Sequence, residues 1–158
     1  MKKIGFTKDE LISHILKADC SIEEMKSIDQ VDSEIFIDVV LDQTCTIATM
    51  EKIEKVNQMI LSSTALLEEC TVETMKKILE LDTVILLNVA IHESCSIETM
   101  KKIHQVNSNL LANVLFHQNC SVKTMEKINK VNSTILSSAA AHQNCSIQTM
   151  KKIEQVVL

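Results

Sequence analysis

The sequence predicts an all-α protein, an α-solenoid built from two-helix repeats of 25 residues. Six cysteines recur at an unbroken interval of 25 residues: Cys20, Cys45, Cys70, Cys95, Cys120 and Cys145. The residues after each cysteine are alike, as in CTVETMKKI from Cys70 and CSIETMKKI from Cys95. Proline is absent and Gly5 is the only glycine, which argues against a fold of tight β-hairpins. A fixed period of this size is the signature of a repeat architecture.

The first helix of each repeat, helix B, follows the cysteine. With the cysteine as position 1, position 2 is always Ser or Thr, which caps a helix by accepting from an unpaired backbone N–H. Ser21 and Glu24 have the capping-box spacing. Helix B is apolar at every third position, as at Ile97, Met100 and Ile103. Apolar residues at this spacing cover half of the circumference of an α-helix, whereas in a 3₁₀-helix they would all lie on one face. In both cases helix B needs neighbouring repeats to cover it.

The second helix of each repeat, helix A, begins after position 13, which is Asp or Asn in all five full repeats. These residues tolerate the left-handed conformation and cap helices, so we expect them to end helix B and start helix A. Helix A is apolar at positions 16, 17, 20 and 21, which form one α-helical face. A ladder of methionines (25, 50, 75, 100, 125, 150) and isoleucines (28, 53, 78, 103, 128, 153) completes the predicted core.

The repeats are predicted to form one domain over residues 1–158. Residues 1–19 form an N-terminal capping helix, full repeats begin at Cys20, Cys45, Cys70, Cys95 and Cys120, and a partial repeat covers 145–158. Val156, Val157 and Leu158 close the last helix without a polar cap. Because terminal repeats of solenoids usually have a polar outer face, we expect self-association through this end.

The segment from Val89 to Met100 resembles the leucine-rich repeat variant family, whose repeat runs V-A-x-N-P-x-T-P-x-E-x-L. Val89, Ala90, Glu98 and Met100 fall on matching or similar positions. The chain lacks the family's two prolines, has cysteine at its threonine, and has a period one residue longer. The resemblance implies a right-handed superhelix that mixes α- and 3₁₀-helices, with no defined activity.

The net charge, the length of the apolar segments and the spacing of the cysteines indicate which partners and which cellular compartment to expect. The net charge of −5 is opposite in sign to that of most nucleic-acid-binding proteins. No segment approaches the roughly 20 apolar residues that span a bilayer, and Lys8, Asp9 and Glu10 interrupt any signal-peptide core. Equivalent sites in adjacent helical units lie about 9 Å apart, too far for a disulfide. We therefore predict a cytoplasmic protein with reduced thiols and no membrane partner.

The cysteine column is predicted to fill the tight turn, with no metal and no cofactor. A histidine stands three residues before the last three cysteines: His92, His117 and His142. Such a pair could coordinate metal, but zinc needs about four ligands and each pair supplies two. A nucleophilic cysteine needs a lowered pKa and an oriented base, whereas six equivalent cysteines favour a structural role. We predict that the protein is not an enzyme.

Lysines at positions 7 and 8 form a candidate basic ridge. Position 7 supplies Lys26, Lys76, Lys101 and Lys151, and position 8 supplies the five candidate site residues, here called the lysine ridge: Lys52, Lys77, Lys102, Lys127 and Lys152. The ridge could bind a phosphate backbone or an acidic partner. The alternative is a solvated helix face with i,i+4 pairs such as Glu73–Lys77 and Glu98–Lys102. No aromatic residues are interleaved for base stacking.

Helix A carries a second stripe of apolar residues at positions 15, 18 and 22. It comprises Ile37, Leu41, Met59, Leu66, Val84, Leu87, Ile91, Ala112 and Phe116. If helix A lines a concave wall, the stripe is a groove for a partner's helix or extended segment; if helix A is covered on both sides, it is core.

The predicted function is a non-catalytic protein-interaction module or scaffold that binds a protein or peptide partner. The first alternative is a binder of nucleic acid or an acidic partner along the lysine ridge. The second is a metal or redox role of the cysteine and histidine column.

Overall fold

The computed structural model describes residues 6–17 and 20–157, which form twelve α-helices and contain no strand. The all-α prediction is confirmed. The helices are α1 (Lys8–Leu16), α2 (Ile22–Val31), α3 (Ile35–Leu41), α4 (Ile47–Val56), α5 (Met59–Ala65), α6 (Val72–Leu81), α7 (Thr83–Ile91), α8 (Ile97–Val106), α9 (Leu110–Leu115), α10 (Val122–Val131), α11 (Thr134–Ala140) and α12 (Ile147–Val157). Within the described residues no helix is both long and apolar enough to cross a bilayer.

The chain divides into two compact units, Met1–Ile85 and Leu86–Leu158. In the first unit the A-type helices α1, α3 and α5 pack in one row, and the B-type helices α2, α4 and α6 pack in another. In the second unit α9 packs on α11, and α8, α10 and α12 pack in succession. Within each unit a helix therefore contacts its equivalent one repeat away, as expected for an array of helical hairpins. The handedness of the array stays a prediction.

Each B-type helix begins at the predicted cap. In α6 the Thr71 hydroxyl oxygen accepts from the backbone N–H of Thr74 at 3.1 Å, and the two hydroxyls lie 3.2 Å apart. Ser21 and Glu24 form the predicted capping box. The helix is α-helical to its end, where the N–H of Asp82 donates to the carbonyl of Ile78 at 3.0 Å. The alternative of a 3₁₀-helix for helix B is therefore wrong.

The Asx residue at position 13 ends helix B and caps helix A, as predicted, and it does so with an extended backbone. Asp82 is extended, with φ −159° and ψ 116°, and is not left-handed. Its carboxylate accepts from the N–H of Val84 at 2.9 Å, so the side chain caps helix A while the extended backbone separates the helices. Bonds from residue i+3 to residue i open helix A, as between Ile60 N–H and the Asn57 carbonyl at 3.3 Å.

The core occupies the predicted positions of both helices. Positions 16, 17, 20 and 21 of helix A are buried, apart from the partly exposed Ala140. All six ladder isoleucines are buried, as are five of the six methionines. Met150 differs from the prediction because it lies on α12, which packs on α10 and α11 and leaves Met150 38% exposed. Every cysteine is a buried thiol, as predicted.

The ladder yields a paired test of packing. Met75→Ala removes a fully buried side chain and should lower the unfolding free energy by about 2–5 kcal/mol. Met150→Ala removes the same atoms from a partly exposed site and should cost about 1 kcal/mol or less. Urea denaturation followed by circular dichroism measures both variants. Equal losses would contradict the burial assigned to the ladder.

Candidate functional site

The lysines at position 8 bind the backbone of the preceding repeat. The ammonium group of Lys77 donates to the carbonyl of Cys45 at 2.8 Å and to that of Gln43 at 3.1 Å. The same contact, at 2.8 to 3.1 Å, joins Lys52 to Cys20, Lys127 to Cys95 and Lys152 to Cys120. These carbonyls lie in the turn between helix A and helix B, outside the backbone hydrogen bonds of both helices. A lysine ammonium group supplies them with a charged donor, and such charge-assisted hydrogen bonds are stronger than neutral ones.

This arrangement gives the lysine ridge a structural role. Four of its ammonium groups point at the protein's own carbonyls, and Lys102, half-buried at the same repeat position, is also engaged. The glutamates of helix B contact the neighbouring lysines at i+3. Glu73 lies 3.7 Å from Lys76, and Glu98 lies 3.4 Å from Lys101.

The cysteine thiols are held in the tight turn. In all six repeats the cysteine Sγ lies 3.7 to 3.9 Å from the carbonyl oxygen of the next residue. Burial raises the pKa of the Cys45, Cys95 and Cys120 thiols to about 11, although a nearby lysine opposes each shift. These thiols are therefore protonated at neutral pH, whereas a nucleophile or a metal ligand needs the thiolate.

The histidines that precede cysteines cap the same turn. Their Nδ1 atoms accept from the backbone N–H two residues on at 3.0 to 3.1 Å: His92 from Ser94, His117 from Asn119 and His142 from Asn144. Asp42 does the same at the equivalent position, accepting from the N–H of Thr44 at 2.8 Å and from its hydroxyl at 2.6 Å. These bonds lower the pKa of Asp42. A side-chain acceptor therefore caps four of the six turns, whereas Lys17 and Leu67 stand at this position in the other two.

The second stripe of helix A is less covered than the core positions. In the first unit Met59 is 66% exposed and Val84 is exposed, while Ile37, Leu41 and Leu66 are half-buried. In the second unit Leu87, Ile91 and Ala112 are half-buried. Phe116 is exposed, and its ring lies 5.4 Å from that of His142.

Charge is segregated between the two types of helix. The helices α3, α5, α7, α9 and α11 and the turns that follow them contain no lysine, and the chain has no arginine. In the first unit, acidic residues accompany the second stripe: Glu34, Asp38, Asp42, Glu68 and Glu69. Lys8 on α1 binds Asp38 at 2.9 Å, and the charge of Lys77 acts on Asp42. The apolar row on α3 and α5 therefore has a net acidic surrounding, with lysines beside two of the five carboxylates.

The last helix exposes apolar side chains. Ile147 and Val157 are exposed and Val156 is half-buried, while Leu158 lies outside the described residues. Self-association through this end stays a prediction.

One cluster was missed by the sequence reasoning. His14, Cys20 and Glu24 each bring a ligand-type atom to within 4.8 Å of the others, the one such group of three within 6–17 and 20–157. The available signal was a departure from the repeat: position 5 is Glu24 in the first repeat and Thr in the other five.

A scan against protein-family models, a search of curated proteins and a search of solved structures each find no match to this chain. The resemblance to leucine-rich repeat variants therefore stays a prediction.

Glu54 on α4 is a titrating group at the junction between two repeats. Its Oε1 is buried without a hydrogen-bond partner among the described residues. Burial, and then the nearby charge of Asp82, raise the pKa of Glu54. One repeat earlier the equivalent residue, Asp29, accepts from the side-chain amide of Asn57 at 3.3 Å, so the first junction has a donor that the second lacks.

Glu54→Gln should stabilise the protein at neutral pH. Because the folded-state pKa lies above the unfolded value of 4.5, the folded state binds this proton more tightly, and stability falls as pH rises through the window above 4.5. A glutamine carries no charge and can donate to Asp82. Denaturation at pH 7 and pH 4 should show a gain that shrinks at the lower pH. Glu51→Gln, on the exposed side of α4, is the control and should show no such gain.

Proposed function

We propose that the protein is a non-catalytic interaction module that binds a basic amphipathic segment of a partner protein on the second stripe. The observation that carries the proposal is the apolar row on the adjacent helices α3 and α5, in which Met59 is exposed and Ile37, Leu41 and Leu66 are half-buried, with carboxylates beside it on segments without lysine. A helix with apolar anchors on one face and lysine or arginine beside them is complementary to that row.

The chemistry of the row favours this occupant. Methionine at the exposed position 59 adapts its shape to different apolar side chains. The carboxylates attract a basic segment and repel an acidic one, which contributes specificity and speeds association more than it adds affinity. Apolar contact supplies the remaining free energy, so binding should weaken with salt without being abolished.

The two alternatives receive less support from the contacts. The ammonium groups of Lys52, Lys77, Lys127 and Lys152 bind backbone carbonyls, and the net charge of −5 opposes a nucleic acid. The His92, His117 and His142 rings cap turns, which accounts for their spacing to cysteine without a metal. A cytoplasmic location is part of the proposal, because six buried thiols suit a reducing compartment.

The test is fluorescence anisotropy with a labelled helical peptide of leucine and lysine, roughly 18 residues or five turns long. Two further peptides serve as probes: one of the same composition with its amphipathic order scrambled, and one with glutamate in place of lysine. We expect a Kd on the order of micromolar for the first peptide and at least about tenfold weaker binding for the others.

Matched variants locate the binding surface. Met59 and Val31 are 66% and 64% exposed, on α5 and α2, so replacing either with lysine should leave the fold intact. Met59→Lys should weaken binding of the basic peptide at least about tenfold through lost apolar contact and charge repulsion. Val31→Lys should leave it unchanged. Equal effects of the two variants, or equal binding of all three peptides, would overturn the proposal.

A further inference from the structure

The first repeat departs from the others at two positions that meet in space. Position 5 is threonine in five repeats and Glu24 in the first. The residue six places before each later cysteine is Val39, Thr64, Val89, Val114 or Ala139, whereas His14 stands six places before Cys20. His14 Nε2 and Glu24 Oε2 lie 3.0 Å apart. Two changes of residue type have therefore placed an imidazole and a carboxylate beside the first cysteine.

The three side chains have different access to solvent. Cys20 is buried, while the side chains of His14 and Glu24 are each about one-third exposed. The three ligand-type atoms all lie within 4.8 Å of one another. The thiol therefore forms the inner wall of the cluster, and an ion can enter from the side of the imidazole and the carboxylate.

We propose that His14, Cys20 and Glu24 bind a transition-metal ion of the zinc class, with solvent completing the coordination. Zinc takes imidazole nitrogen, thiolate sulfur and carboxylate oxygen at about 2.0–2.3 Å in tetrahedral geometry. Ligand atoms at these bond lengths lie about 3–4 Å apart, so the cluster needs only a small contraction. One thiolate and one carboxylate balance the charge of a divalent ion.

Neighbouring groups orient the ligands. The Oε1 of Glu24 accepts from the backbone N–H of Ser21 at 3.3 Å, which fixes the carboxylate and turns Oε2 towards His14. Such second bonds are typical of metal ligands. The Cys20 Sγ lies 3.9 Å from the Ser21 carbonyl oxygen, and the Cys20 carbonyl accepts from the ammonium group of Lys52 at 3.1 Å, so the backbone that carries the thiol is held on both sides. On binding, the ion replaces the proton of the Cys20 thiol, which is released to solvent.

The repeat supplies variants that remove the site and keep the fold. The double variant His14→Val/Glu24→Thr restores the residues that other repeats carry at these positions. Cys20→Ser removes the sulfur ligand. Cys45→Ser makes the same change in the next repeat, where Val39 and Thr49 replace the imidazole and the carboxylate, and it controls for the effect of the substitution on folding.

The experiment titrates the metal-free, reduced full chain with Co²⁺, followed by visible absorption, and with Zn²⁺, followed by calorimetry. We expect one ion per chain, a thiolate-to-cobalt charge-transfer band and displacement of Co²⁺ by Zn²⁺. The double variant and Cys20→Ser should bind at least about 100-fold more weakly and lose the band, while Cys45→Ser keeps both. No thiolate band in the wild type, or a band that Cys45→Ser abolishes and Cys20→Ser does not, would overturn the proposal.

Discussion

The bond from a position-8 lysine to the cysteine carbonyl of the preceding repeat, which Lys52, Lys77, Lys127 and Lys152 make, is the interaction on which the packing of repeats within each unit depends. Lys77, for example, reaches the Cys45 carbonyl 32 residues earlier at 2.8 Å. A hairpin of helices of seven and ten residues, such as α5 and α6, cannot bury its apolar positions alone and needs the next hairpin in a fixed register. The turn after helix A leaves carbonyls without helical partners. An ammonium group that binds these carbonyls therefore joins the turn of one repeat to helix B of the next repeat.

The same turn explains why cysteine and histidine, which in other proteins often serve as nucleophiles, bases or metal ligands, recur in this chain. The cysteine fills the turn, a histidine or aspartate before it accepts from a backbone N–H in four of the six turns, and the Ser or Thr after it caps helix B. Each is repeated because the turn is repeated. Function is therefore better sought where the repeats differ. These places are the second stripe of helix A, where Met59 and Val84 give way to Asn109 and Thr134, and the pair His14 and Glu24 in the first repeat.

The local features of the fold could be predicted from the sequence, whereas the contacts between repeats could not. The cap that Thr71 provides for α6, the α-helical face of helix A and the buried ladder all follow from spacing within one helix. Which carbonyl the ammonium group of Lys77 binds depends on the distance between successive hairpins, and no pattern within one repeat specifies that distance. The residue type of Asp82 predicted that it would end helix B and start helix A, but not the extended backbone with which it does so. His14 and Glu24 meet across a turn, ten residues apart, so only the structure brings them together.

The most direct measurement is the unfolding free energy of Lys77→Met compared with Lys76→Met. Methionine retains most of the aliphatic stem, so Lys77→Met removes chiefly the ammonium group that binds the Cys45 and Gln43 carbonyls. It should lower the unfolding free energy by about 1–3 kcal/mol, the range for a hydrogen bond to a charged group. Lys76 is exposed and pairs with Glu73 at i+3 in the same helix, so its replacement should cost less than about 0.5 kcal/mol. Equal and small losses would show that the lysine contact does not hold consecutive repeats in register.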